Sequence, residues 1–167
     1  LSDMSALGNY ALNVYTTYTG DANPFNDTLF YSIENYIPAV PPYSISFDDD
    51  SVNNQLLVTD ENLDGYTWYL MSSGGINNSA CAYYSFNQNE PANDWLFTKC
   101  LYLIAGTNYV IEFYYKVQGA AYPENLKVQL SKAPSPNAVF GDTLLNLYNV
   151  TDTAFTDKNA SFVFALR

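Results

Sequence analysis

The chain has 167 residues, of which 48% are hydrophobic and 17% aromatic, so a disordered chain is excluded and a packed core is expected. Its formal net charge of −11 would repel nucleic acid and acidic membrane surfaces, so neither is expected as a partner. The chain contains no histidine, which excludes Ser-His-Asp and Cys-His catalytic arrangements and most catalytic zinc sites.

Short runs of β-branched, aromatic and alternating apolar residues predict strands along most of the chain. The first two predicted strands lie at 9–19 and 28–36, on either side of a turn cluster at 20–27. Further strands are predicted at 44–47, 55–59, 66–71, 80–86, 94–103, 108–117, 125–131, 142–150 and 160–166. No apolar run is long enough to span a bilayer, so membrane insertion is not expected.

Two segments interrupt this pattern. Residues 37–44 carry three prolines, which cannot donate to a sheet ladder and therefore predict an extended linker or boundary. A single helical turn is predicted near 135–140. Short strands joined by turns predict an all-β fold, an antiparallel sandwich or jelly roll.

Five segments occur in an order that resembles the cleaved-adhesin and choice-of-anchor-J modules, including the adhesin domains of gingipain-type proteins of Bacteroidetes. They are PPYSISFD (41–48), DENLDGYTW (60–68), ACAYYSF (80–86), ANDWLFTKCLYL (92–103) and YPENLKVQLSKAP (122–134). The resemblance implies an antiparallel jelly-roll β-sandwich of galactose-binding or MAM-like type. It also implies a secreted or surface multidomain protein and frequent calcium binding.

The domain organisation follows from the same resemblance. Residues 1–40 are predicted to contain a strand pair similar to the last two strands of an immunoglobulin-like module, followed by the proline-rich linker. Residues 41–167 are predicted to form the adhesin-like jelly roll. The family usually continues beyond the position of SFVFAL, so either the last strands are missing, the N-terminal strands fill the gap, or a partner chain completes the sheet by strand addition or swapping.

The spacing Asp60-x-Asn62-x-Asp64-Gly65 is that of the start of a calcium loop. It is not an EF-hand, because the twelfth position is Met71 rather than a bidentate Glu and the flanking segments are strand-like. Two interpretations remain open. Asp64-Gly65 is a tight hairpin turn, or some of these oxygens form a calcium site of another type.

A calcium site would need further oxygen ligands, since Ca²⁺ takes six to eight. In the resembling modules an acidic residue follows the aromatic residue of the first strand, and the matching residue here is Asp48. Asp94, before Trp95, is the second predicted donor. The alternative for the acidic run at 48–50 is a solvated turn.

Tyr66, Tyr84 and Tyr122 are the predicted ligand-binding residues, since tyrosines can provide a platform for the apolar face of a sugar. Trp68 and Trp95 lie among apolar strand neighbours and are predicted to be core residues.

Whether the two cysteines form a disulfide depends on which strands pair. If 80–86 pairs antiparallel with 95–100, Cys81 lies opposite Cys100 at a spacing that a disulfide can bridge. A cross-strand disulfide is therefore predicted, and two buried thiols are the alternative.

Together these features predict a non-catalytic adhesion or binding module, extracellular or on the bacterial cell surface, that binds a glycan or a protein. The alternative is a structural spacer that positions a neighbouring catalytic or anchoring domain. A third reading, a glycoside-active enzyme, would need two carboxylates facing each other across a cleft, and no motif brings Glu90, Glu112 and Glu124 together.

Overall fold

A computed structural model describes residues 6–20, 22–23, 27–35, 37–50 and 55–165. The strands are β1 (Gly8–Tyr15), β2 (Thr28–Asn35), β3 (Leu57–Asp60), β4 (Trp68–Met71), β5 (Cys81–Tyr84), β6 (Asp94–Phe97), β7 (Asn108–Tyr115), β8 (Glu124–Ser131), β9 (Val139–Val150) and β10 (Thr156–Val163). Short 3-10 turns lie at Ile76–Asn78 and Pro136–Ala138, the second where a helical turn is predicted. Across these described ranges, no helix is long and apolar enough to cross a membrane.

The strands form five antiparallel pairs: β1–β2, β3–β6, β4–β5, β7–β10 and β8–β9. One isolated parallel bridge joins Ala39 to Leu101. The predicted all-β, antiparallel fold class is confirmed, and the pairing is consistent with a β-sandwich.

The contacts divide the chain into two compact units, 1–38 and 39–167. The first contains the β1–β2 ribbon, in which three of the four cross-strand pairs on one face are apolar. These pairs are Tyr10 with Ile33, Leu12 with Tyr31, and Val14 with Leu29. Leu29 is 64% exposed and Tyr31 62% exposed, so this face buries little of its apolar surface. A two-stranded ribbon of this kind is only marginally stable by itself.

The second unit shows the alternation that the sequence predicts for 108–117. Along β7, Tyr109, Ile111, Phe113 and Tyr115 are less exposed than the residues between them. The pair with β10 places Tyr109 opposite Phe162, with ring centroids 5.8 Å apart. Among the described residues, Val150, at 7% exposure, is the one hydrophobic residue that is buried.

Three predictions about this unit are wrong. Residues 44–47 are not a strand, and the strand predicted at 94–103 ends at Phe97. Strands β5 and β6 do not pair with each other, because β5 pairs with β4 and β6 pairs with β3. Aromatic cross-strand contacts stabilise the β4–β5 pair: Trp68 meets Tyr84 at 5.7 Å and Tyr69 meets Tyr83 at 5.2 Å.

The predicted disulfide fails for the same reason. Cys81 lies opposite Met71 in the β4–β5 pair, and its Sγ donates a hydrogen bond to the Ser73 carbonyl at 3.6 Å. Cys100 lies beside Ala39, whose N–H donates to the Cys100 carbonyl at 2.9 Å. The two cysteines therefore occupy different pairings, and both carry thiols rather than a shared disulfide.

We expect that the denatured, unreduced protein takes up two alkylating groups, one for each of Cys81 and Cys100, when treated with iodoacetamide. The reason is that, in the described part of the chain, Cys81 and Cys100 belong to different pairings and both carry thiols. Intact mass spectrometry measures the number of groups added. The reduced protein is the control, and no uptake without reductant would contradict the strand pairing described above.

Candidate functional site

The loop that joins β3 to β4 folds back onto its own carboxylates. The Gly65 N–H donates a hydrogen bond to Asp60 Oδ2 at 2.9 Å, and the Tyr66 N–H donates to Asp64 Oδ1 at 2.8 Å. The backbone has a φ of 56° at Leu63 and of 81° at Gly65, the latter a conformation that glycine adopts without steric cost. The tight turn is therefore present, but it is not a hairpin turn, because β3 and β4 pair with other strands.

This loop is tied to the loop between β5 and β6 by hydrogen bonds. The Asn62 side chain donates to the Pro91 carbonyl at 3.1 Å. The Asn87 side chain donates to Asp64 Oδ2 at 2.8 Å. The two loops, 61–67 and 85–93, consequently form one structure around the adjacent ends of β3, β5 and β6.

Asp64 holds the loops together. Its two carboxylate oxygens accept from different donors, the Asn87 side chain and the Tyr66 N–H. These hydrogen bonds, the Asn87 one first, lower the pKa of Asp64 below its usual 3.8. These hydrogen bonds give Asp64 a positioning role in the loops, and the metal-ligand role that its spacing predicts stays a prediction.

Besides the Thr67 hydroxyl, four oxygens in this region are buried and have no hydrogen-bond partner of standard geometry within the described part of the chain, although the Tyr84 hydroxyl lies near enough to Asp94 for a hydrogen bond to contribute to its raised pKa. They are Asp60 Oδ1, Asn62 Oδ1, Asp94 Oδ1 and the Tyr84 hydroxyl. A buried polar atom without a partner costs on the order of 1–3 kcal/mol, and more if it is charged. Three of the four belong to residues predicted as metal ligands, and Tyr84 is new to this group.

The β3–β6 register places the two carboxylates in opposition. Asp60 lies directly opposite Asp94 in the antiparallel pair, so both side chains leave the same face of the sheet. Like charges directly opposite each other destabilise a sheet. The Trp68 indole donates to the Asp94 carbonyl at 3.4 Å and helps to fix this strand end. A cation between the two carboxylates would remove the repulsion and satisfy the unpaired oxygens.

The donor set fits calcium better than zinc or other thiophilic metals. Ca²⁺ binds carboxylate, amide carbonyl and main-chain carbonyl oxygens, and the cluster offers two carboxylates, an amide oxygen and a hydroxyl. Within the described ranges, no group of three or more His, Cys, Asp and Glu side chains is arranged to hold a metal. A site here would therefore depend on uncharged oxygens and water as well as on Asp60 and Asp94.

The structure does not bring Asp48 to this cluster. Its Oδ1 accepts a hydrogen bond from the Ala80 N–H at 2.7 Å. Ala80 precedes the Cys81 end of the β4–β5 pair, whereas Tyr84 lies at the other end, roughly 10 Å away at about 3.3 Å per residue. Asp48 caps a strand end and is not placed to share a cation with Asp60.

An open groove of about 670 Å³ adjoins the cluster where β5 ends and β8 begins. Its lining includes Tyr84, Asn87 and Pro91, all of which also contribute to the cluster or to the loop bonds around it. Phe86 and Tyr122 stack across it with ring centroids 6.2 Å apart and planes 14° from parallel. The groove and the oxygen cluster therefore share walls.

The three predicted ligand-binding tyrosines have different environments. Tyr122 is 69% exposed and offers a ring face to solvent in the groove. Tyr84 lines the groove, but its ring also packs against Trp68 and its hydroxyl is buried. Tyr66 is 44% exposed and is not part of the groove lining.

Burial raises the pKa values of two groups that line the groove, Tyr84 and Glu124. Burial, followed by the nearby Asp94 carboxylate, raises the pKa of the Tyr84 hydroxyl, so Tyr84 remains neutral. Burial also raises the pKa of Glu124, the first residue of β8. The Glu124 carboxylate is thus partly desolvated at the groove floor.

Sequence reasoning missed Phe86 and Asn87. Asn87 accepts a hydrogen bond from the Asn89 N–H at 2.9 Å, as expected for an Asx turn in a loop rich in Asn. That composition indicates a structured loop. The contact of Asn87 with Asp64, however, spans 23 positions and follows from no local pattern.

The chain matches no family model, no curated protein and no solved structure.

We expect Leu63→Asn to stabilise the protein by about 0.5–1 kcal/mol. Leu63 is 85% exposed and has a φ of 56°, a conformation that costs a branched residue about 1 kcal/mol or more and that Asn tolerates. Urea unfolding measures the change. Ile104→Asn is the matched control, since Ile104 is 58% exposed and its φ is not positive. Equal effects of the two substitutions would contradict the proposed backbone strain.

We expect Asp64→Asn to destabilise the protein at neutral pH. In acid, the stability of the variant should be closer to that of the wild type. The folded-state pKa of Asp64 is lowered, so its contribution is present above 3.8 and is lost as the pH falls through the lowered pKa. Thermal unfolding across this range measures the difference. Asp157→Asn, at an exposed position of β10, controls for the lost charge. A stability difference that does not shrink in acid would contradict this role of Asp64.

Proposed function

We propose that residues 39–167 form a non-catalytic extracellular binding module of a larger bacterial surface or secreted protein. The proposed architecture is an adhesin-like jelly roll, and calcium is its proposed structural ion. The resemblance of five ordered segments, the net charge of −11 and the antiparallel all-β fold support this proposal.

One observation carries the proposal. A cluster of buried oxygens without hydrogen bonds lies against an exposed aromatic groove, and Tyr84 belongs to both. A cluster of this kind destabilises the protein unless an ion compensates for it, and a stacked aromatic pair exposed in a groove is typical of a ligand-binding surface. A binding module whose loops are held by calcium accounts for both features.

The calcium ion would be held by side-chain oxygens of Asp60, Asn62, Asp94 and Tyr84. Water and main-chain carbonyls would be the remaining ligands. Asp64 and Asn87 would keep the loops in the conformation that brings these oxygens together. The ion would stabilise the folded state by mass action, because the unfolded chain has no preformed site.

The alternative is a structural spacer, which would share the calcium site but would not use the groove. The position of Phe86 and Tyr122 beside the 60–66 loop favours the binding module, since a spacer gains nothing from exposed rings.

A second function is favoured by a separate observation. Glu90 and Glu124 line the same groove, and burial raises the pKa of Glu124, as a general acid of a glycoside hydrolase requires. An enzyme of this kind would release reducing ends from a neutral oligosaccharide and would lose that activity in Glu124→Gln. A non-catalytic module would leave the oligosaccharide intact.

We expect about 1 mM calcium, added after EDTA treatment, to raise the melting temperature by about 5–10 °C if the dissociation constant is near 10 µM. Asp60→Asn and Asp94→Asn should abolish most of this rise, whereas Asp157→Asn should retain it. Terbium luminescence sensitised by Trp68 and Tyr84 gives a second readout that does not depend on unfolding. A calcium-dependent rise of equal size in Asp60→Asn and Asp157→Asn would place the ion elsewhere.

A further inference from the structure

The groove combines exposed aromatic rings, apolar walls and carboxylates. Phe86 and Tyr122 supply the rings, and Pro91 and Pro123 supply apolar surface between them and the strand ends. The ionisable carboxyl groups of the lining belong to Glu90 and Glu124. None of the described residues that line the groove is Lys or Arg.

We infer that this groove binds a lysine or arginine side chain presented by a partner protein. The inference rests on the proposed binding function and specifies its ligand: a cationic head between Glu124, Glu90 and the Tyr122 ring, with its aliphatic stem along the proline walls.

Charge complementarity is the first argument. Two carboxylates without a neighbouring cation in the lining would repel phosphate, sulfate and acidic sugars, and would attract an ammonium or guanidinium group. The net charge of the chain, −11, extends this field beyond the groove and would speed the approach of a basic partner. The raised pKa of Glu124 shows that its carboxylate is poorly solvated, so a cation would replace hydration that the groove withholds.

The aromatic pair is the second argument. Tyr122 is 69% exposed and Phe86 is 42% exposed, although each stacks on the other. The free face of an aromatic ring attracts a cation, by about 0.5–2 kcal/mol depending on desolvation. The chain already contains one such contact, since Lys116 Nζ lies 4.5 Å from the centre of the Phe155 ring.

The apolar part of the groove lining accommodates the stem of a basic side chain. A lysine or arginine presents a stem of methylene groups below a single charged head, and Pro91 and Pro123 can cover that stem. A neutral sugar would lay its apolar face on the same rings and pair hydroxyl groups with Asn87 and Gln88, so the two carboxylates, and not the prolines, favour the cationic ligand.

The test is a titration of the full chain with a fluorescent hexalysine peptide in about 0.15 M salt, where long-range attraction is screened. Calcium is kept at about 1 mM so that loop stability is constant. Saturable binding is expected, weakened by at least about tenfold in Glu124→Gln and in Tyr122→Ala.

Two control variants distinguish binding in the groove from general electrostatic attraction of the peptide to the acidic chain. Glu112→Gln, exposed on β7, removes the same charge as Glu124→Gln. Tyr114→Ala removes a tyrosine that is 56% exposed on the same strand. Each of these should change the affinity by less than about twofold. Circular dichroism and the calcium-dependent melting shift verify that every variant is folded.

The other outcomes overturn the inference in distinguishable ways. Equal losses in Glu124→Gln and Glu112→Gln would mean that net charge alone attracts the peptide. Binding of cellohexaose without hexalysine would overturn the cationic ligand and leave the binding module intact. Stronger binding of a glucosamine hexamer than of hexalysine would reassign the groove to amino sugars. Binding of none of these probes, with the calcium shift preserved, would remove the binding function as well and leave a spacer.

Discussion

The placement of Asp60 opposite Asp94 is the constraint on which the site depends. Two carboxylates on one face of a two-stranded pair repel each other, and each has one buried oxygen without a hydrogen bond. The packing nevertheless holds them there, because β6 is fixed along its length by β3 and at its first residue by the Trp68 indole. A fold that keeps such a pair is destabilised by it unless a cation offsets the repulsion.

The same pair connects the candidate cation site with the groove. The loop after β3 is bonded to the loop after β5 through Asn87 and the Pro91 carbonyl, and these two residues also line the groove. An ion bound by Asp60 and Asp94 would therefore order the wall against which a ligand packs. Calcium would affect recognition through the loops, without contact between the ion and the ligand.

The acidity of the chain has two separate consequences here. At the β3–β6 pair, Asp60 and Asp94 leave the same face, each with one buried oxygen, and would be compensated by a metal ion. In the groove, Glu90 and Glu124 lie beside exposed rings and would be compensated by a cationic group of a partner. Because the neighbouring groups differ between these places, one kind of side chain can serve a structural role in the first and a recognition role in the second.

The sequence by itself determined the all-β class, the alternation along β7 and the turn at Asp64-Gly65, since each depends on residues close together in the chain. It also predicts Asp60, Asn62 and Asp94 as oxygen donors, and the structure leaves one side-chain oxygen of each buried. Only the tertiary structure decided which strands pair. The pairing separates Cys81 from Cys100. It also places Asp48 away from the oxygen cluster and brings Tyr84 into it. Strand pairing depends on contacts between residues far apart in the chain, and local patterns do not encode which partner an apolar strand selects.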